Sequence, residues 1–348
     1  MINPTYENVH VHFKLNGFHL DKEDLCRVAY SFIKEGEDFE KPIGNFLLDW
    51  FDSKSYIEMQ TSGSTGIPKF IRVDKQAMVN SALATGDFFE LRAGNRALQC
   101  LPVKYVAGKM MLIRAIILGL DLDYVAPSSH PMKGLEDYYD FVAMVPMQAQ
   151  NSLTELRQVK KLIVGGARIS ASLEKQLMAL PTEVYETYGM TETITHIAAK
   201  RVGEKAFTVL PHVTISYDDR NCLVIHAPHI IAEESVITND LVELINENQF
   251  IFLGRLDNVI NSGGIKIMPE QVEHKLDGKI NHRFFITSKV DAELGEKVVL
   301  VLEGNPFDID KSIFEGLDKY ERPKEIVFVP KFKETENGKV LRKESLST

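Results

Sequence analysis

Gln60-Thr61-Ser62-Gly63-Ser64-Thr65-Gly66-Ile67-Pro68-Lys69 places two glycines, four hydroxyl side chains and one lysine in a single short stretch. Ser55-Tyr56-Ile57-Glu58-Met59 ahead of it reads as a strand. The stretch is therefore expected as a loop at a strand end, where uncovered backbone N–H groups can point at anionic oxygens. Its composition suits a polyphosphate. It is not a Walker A loop, which needs four residues between its glycines and a Lys-Ser/Thr pair after the second. Here only Ser64 and Thr65 separate the glycines, and Pro68 precedes Lys69. A Gly/Ser/Thr run also makes an ordinary flexible surface loop, so its reading depends on the rest of the chain.

Downstream, 76–91 reads as a helix, 97–101 as a buried strand and 108–120 as an apolar helix. Short apolar strands follow at 122–126, 141–145 and 161–164, then a helix over 171–180 that Ser170 is placed to cap. This alternation predicts a parallel, layered α/β body whose strand ends carry the ligand site. From about Phe207 the pattern changes to hairpins. Segments 213–217 and 222–226 flank Asp218-Asp219-Arg220-Asn221, and 241–245 and 250–253 flank Asn246-Glu247-Asn248-Gln249, giving a small β subdomain. Pro269 starts a helix through Leu276, and 283–287 with 297–302 make a second strand pair. The expected boundary falls at 254–257, with residues 1–254 forming the large unit and 255–348 a compact α+β lid.

The chain has 348 residues, enough for a large core and two domains. Its hydrophobic fraction is 44%, and its net charge of -9 argues against a nucleic-acid partner, whose phosphates demand a basic face. Met1 to Glu7 lacks the basic start and apolar core of a signal peptide. The longest apolar run, Met110 to Leu120, is broken by Arg114 and too short to cross a bilayer. The expected location is the cytoplasm. Cys26, Cys100 and Cys222 are far apart and odd in number, so they read as reduced, packed residues. Val9-His10-Val11-His12-Phe13 alternates with period two and is expected as a strand with both imidazoles on one solvated face. No pattern in the sequence bears on oligomeric state.

The loop matches, residue for residue, the phosphate-binding signature of the acyl-adenylate-forming enzymes, which include acyl-CoA synthetases, peptide-synthetase adenylation domains and luciferases. Three further blocks resemble that family in its order. Tyr188-Gly189-Met190-Thr191-Glu192 is similar to its adenine and magnesium block. Asn239-Asp240, followed by Phe252-Leu253-Gly254-Arg255-Leu256-Asp257, is similar to its ribose block and hinge. Glu334-Thr335-Glu336-Asn337-Gly338-Lys339-Val340-Leu341-Arg342 resembles the segment with its adenylation lysine. Together they span residues 55 to 348. The resemblance implies the acyl-adenylate-forming fold, with a large layered α/β N-terminal domain, a small β subdomain and a mobile C-terminal lid. Family members carry a longer region before the phosphate loop, so a reduced N-terminal subdomain is expected.

The resemblance also implies ATP, Mg²⁺ and CoA as cofactors and a small carboxylic acid as substrate. Thr61, Ser62, Gly63, Ser64, Thr65 and Gly66 would hold the β- and γ-phosphates, with Lys69 adding charge. Gly165-Gly166-Ala167 resembles the adenine-contacting turn, and Tyr188, in the block with Gly189 and Met190, would stack on adenine. Thr191 would bond the α-phosphate, and Glu192, with Thr65, would face the metal, a hard cation that prefers oxygen. Asp240 would accept the ribose hydroxyls, Arg255 would bond ribose or phosphate, and Asp257 would be the hinge. Lys339 would bridge the carboxylate and the α-phosphate. Gly263 and Gly264 would let a pantetheine arm pass.

At the acid pocket this chain has Tyr105, within Leu101-Pro102-Val103-Lys104-Tyr105-Val106-Ala107-Gly108, where many relatives carry histidine. The run from Tyr188 to Ala198 resembles the o-succinylbenzoate–CoA ligases of menaquinone biosynthesis, particularly short bacterial forms. Their acid keeps a second, free carboxylate, for which Lys104, Thr195 and His196 are the candidates. The expected function is ATP-dependent acid–CoA ligation through an acyl-AMP. Alternatives are another aryl or short-chain acyl-CoA synthetase, or a stand-alone adenylation enzyme loading a carrier protein. A nucleotide-binding protein that had lost catalysis would predict decay of Glu192, Asp240 or Lys339, and all three are present.

Overall fold

The computed structural model describes residues 4–60, 70–231, 233–334 and 340–346. The loop residues Thr61, Ser62, Gly63, Ser64, Thr65, Gly66 and Lys69, and Lys339 near the C-terminus, lie outside the described residues. Two short strands, β1 (Lys14–Leu15) and β2 (Phe18–His19), precede helices α1 (Lys22–Glu35) and α2 (Glu40–Phe51). Helix α1 starts on a capping box. Asp21 accepts from the Asp24 amide at 2.9 Å and the Asp24 carboxylate accepts from the Asp21 amide at 3.4 Å, which occupies donors that a helix start leaves open. Leu25, Ala29, Phe46, Leu47 and Trp50 bury the facing sides of both helices. His10 and His12 are not on a strand. They sit in the turn before β1, where the His12 amide donates to His10 Nδ1 at 3.1 Å; this local hydrogen bond outcompetes ladder pairing that the alternation alone suggested.

Strands β3 (Tyr56–Gln60) and β4 (Phe70–Asp74) pair antiparallel across residues 61–69 as a separate two-stranded sheet. The alternating region follows as α3 (Lys75–Phe88), β5 (Arg96–Gln99), α4 (Val106–Leu118), β6 (Asp121–Tyr124), β7 (Tyr139–Met144), α5 (Pro146–Asn151), β8 (Val159–Val164), α6 (Ala171–Met178) and β9 (Glu183–Gly189). Ser170 caps α6, its hydroxyl accepting from the Leu173 amide at 3.2 Å. Strands β1, β6, β5, β7, β8 and β9 lie side by side in parallel. A run of strand and crossover helix gives this arrangement, since each helix must return over the sheet before the next parallel strand.

The hairpin region comprises β10 (His196–Arg201), β11 (Phe207–Val209), β12 (Thr214–Tyr217), β13 (Cys222–His226), β14 (Val236–Asn246) and β15 (Gln249–Arg255). It is continuous with the parallel strands: β10 pairs with β9, and β11 joins β10 to β15. Among the described residues the whole is a 13-stranded sheet. A second, 5-stranded sheet holds β16 (Ile260–Ser262), β17 (Ile265–Ile267), β18 (Phe284–Asp291), β19 (Gly295–Glu303) and β20 (Glu325–Val329), with helices α7 (Pro269–Leu276) and α8 (Arg342–Leu346). It has a core of its own around Ile260, Val272, Leu276, Ile286 and Leu300. Helix α7 touches the large sheet's body at both ends. The Glu270 carbonyl accepts from Arg168 Nη1 at 3.1 Å, and Asp277 Oδ2 accepts from the Ala171 amide at 2.5 Å. Among the described residues no helix is long and apolar enough to cross a membrane.

Candidate active site

Parallel strands end together, and here the C-terminal ends of β5, β7, β8 and β9 bring their loops to one edge. Gly165 and Gly166 leave β8 beside Thr187 on β9. A Cβ on Gly165 would stand 2.5 Å from Thr187 Oγ1, and Gly166 has φ of +84°, in the region glycine favours. Thr187 Oγ1 donates to the Val164 carbonyl at 3.2 Å. The turn 165–167 and Tyr188 are therefore neighbours, as an adenine pocket built from both would require.

Tyr188 is walled by Phe207, Phe250 and Phe252, with ring centroids at 5.9, 5.2 and 6.3 Å. Its hydroxyl donates to Asp240 Oδ2 at 2.5 Å. Burial and the Asp240 carboxylate both push the phenol far above its ordinary range, so the proton stays on tyrosine. Asp240 is 5% exposed, and its Oδ1 has no hydrogen-bond partner among the described residues. Strand register sets Arg255 opposite Asp240, with Nε 3.5 Å from Oδ1. Thr238 braces the strand, donating to the Leu223 carbonyl at 2.8 Å and accepting from the Asp240 amide at 3.0 Å. Asp257 faces Arg255 Nη2 at 3.1 Å and Asn239 Nδ2 at 3.2 Å. Asn239, Asp240, Arg255 and Asp257 thus form one cluster.

Met190 leads into a tight turn. The Met190 amide donates to Thr193 Oγ1 at 3.0 Å, and Thr193 Oγ1 donates to the Thr195 carbonyl at 2.8 Å. Ile194, buried at 3%, has φ 64° and ψ -59°, and the Thr195 amide closes on the Thr193 carbonyl at 2.6 Å. This is the rare γ-turn geometry, which a β-branched residue adopts only under constraint. The turn puts Thr191 and exposed Glu192 on one side and Thr195 with His196 on the other. Gly189 is required beneath it: a Cβ there would lie 2.3 Å from the Thr195 carbonyl oxygen.

His196 opens onto a residue the sequence reading did not single out. Arg114, on α4, is 2% exposed, and its Nη2 lies 3.4 Å from Thr195 Oγ1 and 3.5 Å from His196 Nδ1. It has no carboxylate partner among the described residues, and its Nε has no hydrogen bond there. Burial alone draws the guanidinium down to about 9, still charged at neutral pH. Burial, then Arg114, hold His196 well below the usual imidazole value. The ring's tautomer follows from Thr85. Its hydroxyl donates to the Ser81 carbonyl at 2.9 Å, so toward His196 Nε2, at 3.4 Å, it can only accept. Nε2 carries the proton and Nδ1 faces Arg114 as an acceptor. The sequence did hold a signal for Arg114, the one charge interrupting the apolar run of α4.

Lys104 and Tyr105 lie in the turn before α4, with Lys104 Nζ 5.5 Å from the Tyr105 ring centroid. Arg114 stands about 13 Å further along the helix at 1.5 Å per residue, so the acid-pocket candidates divide into exposed Lys104 with half-buried Tyr105 at the helix start and a second set in which half-buried Thr195 meets buried His196. Gly263 and Gly264 form the exposed tip of the β16–β17 hairpin, with φ of +59° and +81°. Among the described residues no group of three or more His, Cys, Asp and Glu is placed to hold a metal; Glu192 is the described part of the expected metal pair, and Thr65 lies outside the described residues.

A model of the AMP-binding enzyme family matches residues 55–222. Among curated proteins, the 2-succinylbenzoate–CoA ligase of Haemophilus influenzae is 27% identical over 291 residues, covering 74% of this chain and 61% of its own length. The chain thus spans about three fifths of that relative. An acyl-CoA synthetase (AMP-forming)/AMP-acid ligase II-like protein from Dyadobacter fermentans is 34% identical in its crystal structure, with a TM-score of 0.62, over 92% of this chain and 97% of that one. The o-succinylbenzoate coenzyme A synthetase of Bacillus subtilis, solved with ATP and magnesium ion, shares the fold at a TM-score of 0.74 and 18% identity, over 93% of this chain and 82% of that one.

Proposed function

The chain belongs to the AMP-binding enzyme family, and on that premise we propose that it is an ATP-dependent acid–CoA ligase whose acid is o-succinylbenzoate or a close dicarboxylic relative. In the first half-reaction an acid oxygen attacks the α-phosphorus of ATP, forming acyl-AMP as pyrophosphate leaves. In the second, the CoA thiolate attacks the acyl carbon and AMP leaves. Charge grows on phosphate oxygens in the first step, so positioning and electrostatics supply most of the catalysis.

Tyr188 and the 165–167 turn bind adenine in this reading, and Asp240 accepts from the ribose. Among the described residues Oδ1 of Asp240 has the Arg255 ion pair at 3.5 Å but no hydrogen bond, which supports that assignment, because a buried carboxylate oxygen calls for a donor. Mg²⁺, when bound, offsets phosphate charge, with Glu192 and Thr65 as its protein-side oxygens. Thr61 to Gly66 and Lys69 cradle the phosphates, Thr191 bonds the α-phosphate, and Lys339 bridges it to the acid. Residues 255–348 act as the lid, turning at Asp257.

Arg114 is the observation that carries the acid class. A buried guanidinium flanked by neutral Thr195 and neutral His196 has no anionic partner among the described residues, and a second substrate carboxylate would supply one with charge-assisted hydrogen bonds. The relatives named 2-succinylbenzoate–CoA ligase support the same choice. The test is pyrophosphate release with ATP and Mg²⁺ over a panel of mono- and dicarboxylic acids, with mass detection of product after adding CoA. The expected result is release confined to the dicarboxylic aryl acid, followed by its CoA thioester. Release with monocarboxylic acids alone would discard the substrate and keep the adenylation chemistry.

A further inference from the structure

We propose that the Tyr188 hydroxyl is a positioning group for ribose recognition, fixing the Asp240 carboxylate so that Oδ1 and the second lone pair of Oδ2 are left for the ribose diol. The inference rests on the nucleotide-binding reading above and adds to the ring of Tyr188 a role for its hydroxyl.

Asp240 needs such a group. Among the described residues its side chain hangs from β14 with Arg255 alone beside Oδ1, and that guanidinium, 41% exposed, stands 3.5 Å away without forming a hydrogen bond. The backbone contact made by Thr238 holds the Asp240 amide, not its carboxylate. Among the described residues, the one hydrogen bond that selects a rotation of the carboxylate is the 2.5 Å donation from Tyr188 to Oδ2. Tyr188 is itself clamped by Phe207, Phe250 and Phe252, so its hydroxyl is a fixed reference point. A carboxylate oxygen has two acceptor sites. Oδ2 can keep Tyr188 while taking a ribose hydroxyl, and Oδ1 can take the other once Arg255 swings away. Adenine and ribose recognition are thereby joined, because the ring that meets the base sets the carboxylate that meets the sugar.

The experiment is calorimetric binding of ATP, 2′-deoxy-ATP and 3′-deoxy-ATP to the full chain with Mg²⁺ and no acid, in wild type, Tyr188→Phe and Asp240→Asn. Wild type should bind ATP more tightly than either deoxynucleotide. Tyr188→Phe should weaken ATP about tenfold, the scale of one lost charge-assisted hydrogen bond, and bring the ATP to deoxy-ATP ratios close to those of Asp240→Asn. Thermal melting reads the fold separately: a merely structural hydroxyl lowers the melting point and weakens all three nucleotides alike. Unchanged ratios in Tyr188→Phe, or ATP bound as tightly as by wild type, overturn the proposal. Wild type that binds ATP without preferring it over the deoxynucleotides overturns it as well, while wild type that binds no ATP removes the nucleotide reading itself, a result distinct from the others.

Discussion

Arg114 Nη2 lies 3.5 Å from His196 Nδ1, so a buried cation and a buried neutral ring face one another, with no carboxylate partner for the cation among the described residues. Charge buried without a partner is costly, so an anion bound beside Arg114 would stabilise the fold.

Replacing Arg114 with methionine tests that link. Well-packed apolar substitutes for buried ion pairs are often neutral or stabilising by about 1–4 kcal/mol, and a buried charge without a carboxylate partner has less attraction to lose. Arg114→Met should therefore melt at or above the wild-type temperature, while kcat/KM for the dicarboxylic acid falls about 10- to 100-fold, the worth of hydrogen bonds to a charged group. Use of a monocarboxylic aryl acid should hardly change. Melting curves and a two-acid kinetic comparison read both arms, and equal losses on both acids would place Arg114 outside the acid pocket.

His196 gives the fold a pH dependence of definite sign. Burial, then Arg114, lowers its pKa well below 6.5 in the folded state. Below that value the unfolded chain takes up a proton that the folded chain refuses, so stability is retained above about pH 6.5 and lost as pH falls, by up to about 1.4 kcal/mol per pH unit from this group. His196→Gln should flatten the pH 5 to 6.5 limb of denaturant-derived stability. A wild-type slope in the variant would show that the acid loss arises elsewhere.

The order of elements was largely readable because hydrophobic periodicity and turn residues are local: helix α7 runs over the residues that Pro269 and the apolar spacing predict, and Ser170 caps α6. What was not readable depends on chain segments far apart in sequence. The hairpins after Phe207 look like a separate subdomain until β11 is seen to bond both β10 and β15. Tyr188 and Asp240 come together only through that same continuity of the sheet. Arg114 was visible as an interruption in an apolar run, but its meaning needed Thr85, Thr195 and His196 from other elements to be shown neutral and close. His10 and His12 failed in the opposite way, since alternation without a strand partner carried no weight against a local turn.

The second sheet's hold on the large one can be tested at a single amide. Asp277 Oδ2 accepts from the Ala171 amide at the start of α6, supplying from another element what an N-cap side chain normally supplies. Asp277→Ala should cost about 1 kcal/mol there and speed hydrogen exchange in the peptide that begins α6, with little change in β18 and β19. Proteolysis near Asn258 should quicken as α7 loosens. Unaltered exchange at Ala171 would mean that the contact is not held in solution.

Arg342 is the last relationship that makes a definite demand. Its Nη1 donates to the Ile286 carbonyl at 2.7 Å and lies 2.8 Å from Glu273 Oε1, while Nη2 reaches Glu273 Oε2 at 3.0 Å. The Ile286 amide donates to the same carboxylate at 2.8 Å. Burial still raises the Glu273 pKa despite Arg342, so this pair is strained between desolvation and attraction. Removing one partner leaves a buried charge stranded, at about 3–5 kcal/mol. Arg342→Leu should lower the melting temperature sharply, and Arg342→Leu with Glu273→Leu should recover part of it, because the double variant removes both charges of the pair and leaves only the Ile286 amide and carbonyl and Glu270 to find other partners. Lys339 lies just before this anchor in sequence, so if it has the adenylating role proposed, the stable double variant should lose pyrophosphate release more than thioester formation from supplied acyl-AMP. A double variant as unstable as the single one would show that Arg342 acts through packing with Phe285, whose ring centroid lies 5.8 Å from its guanidinium, rather than through charge.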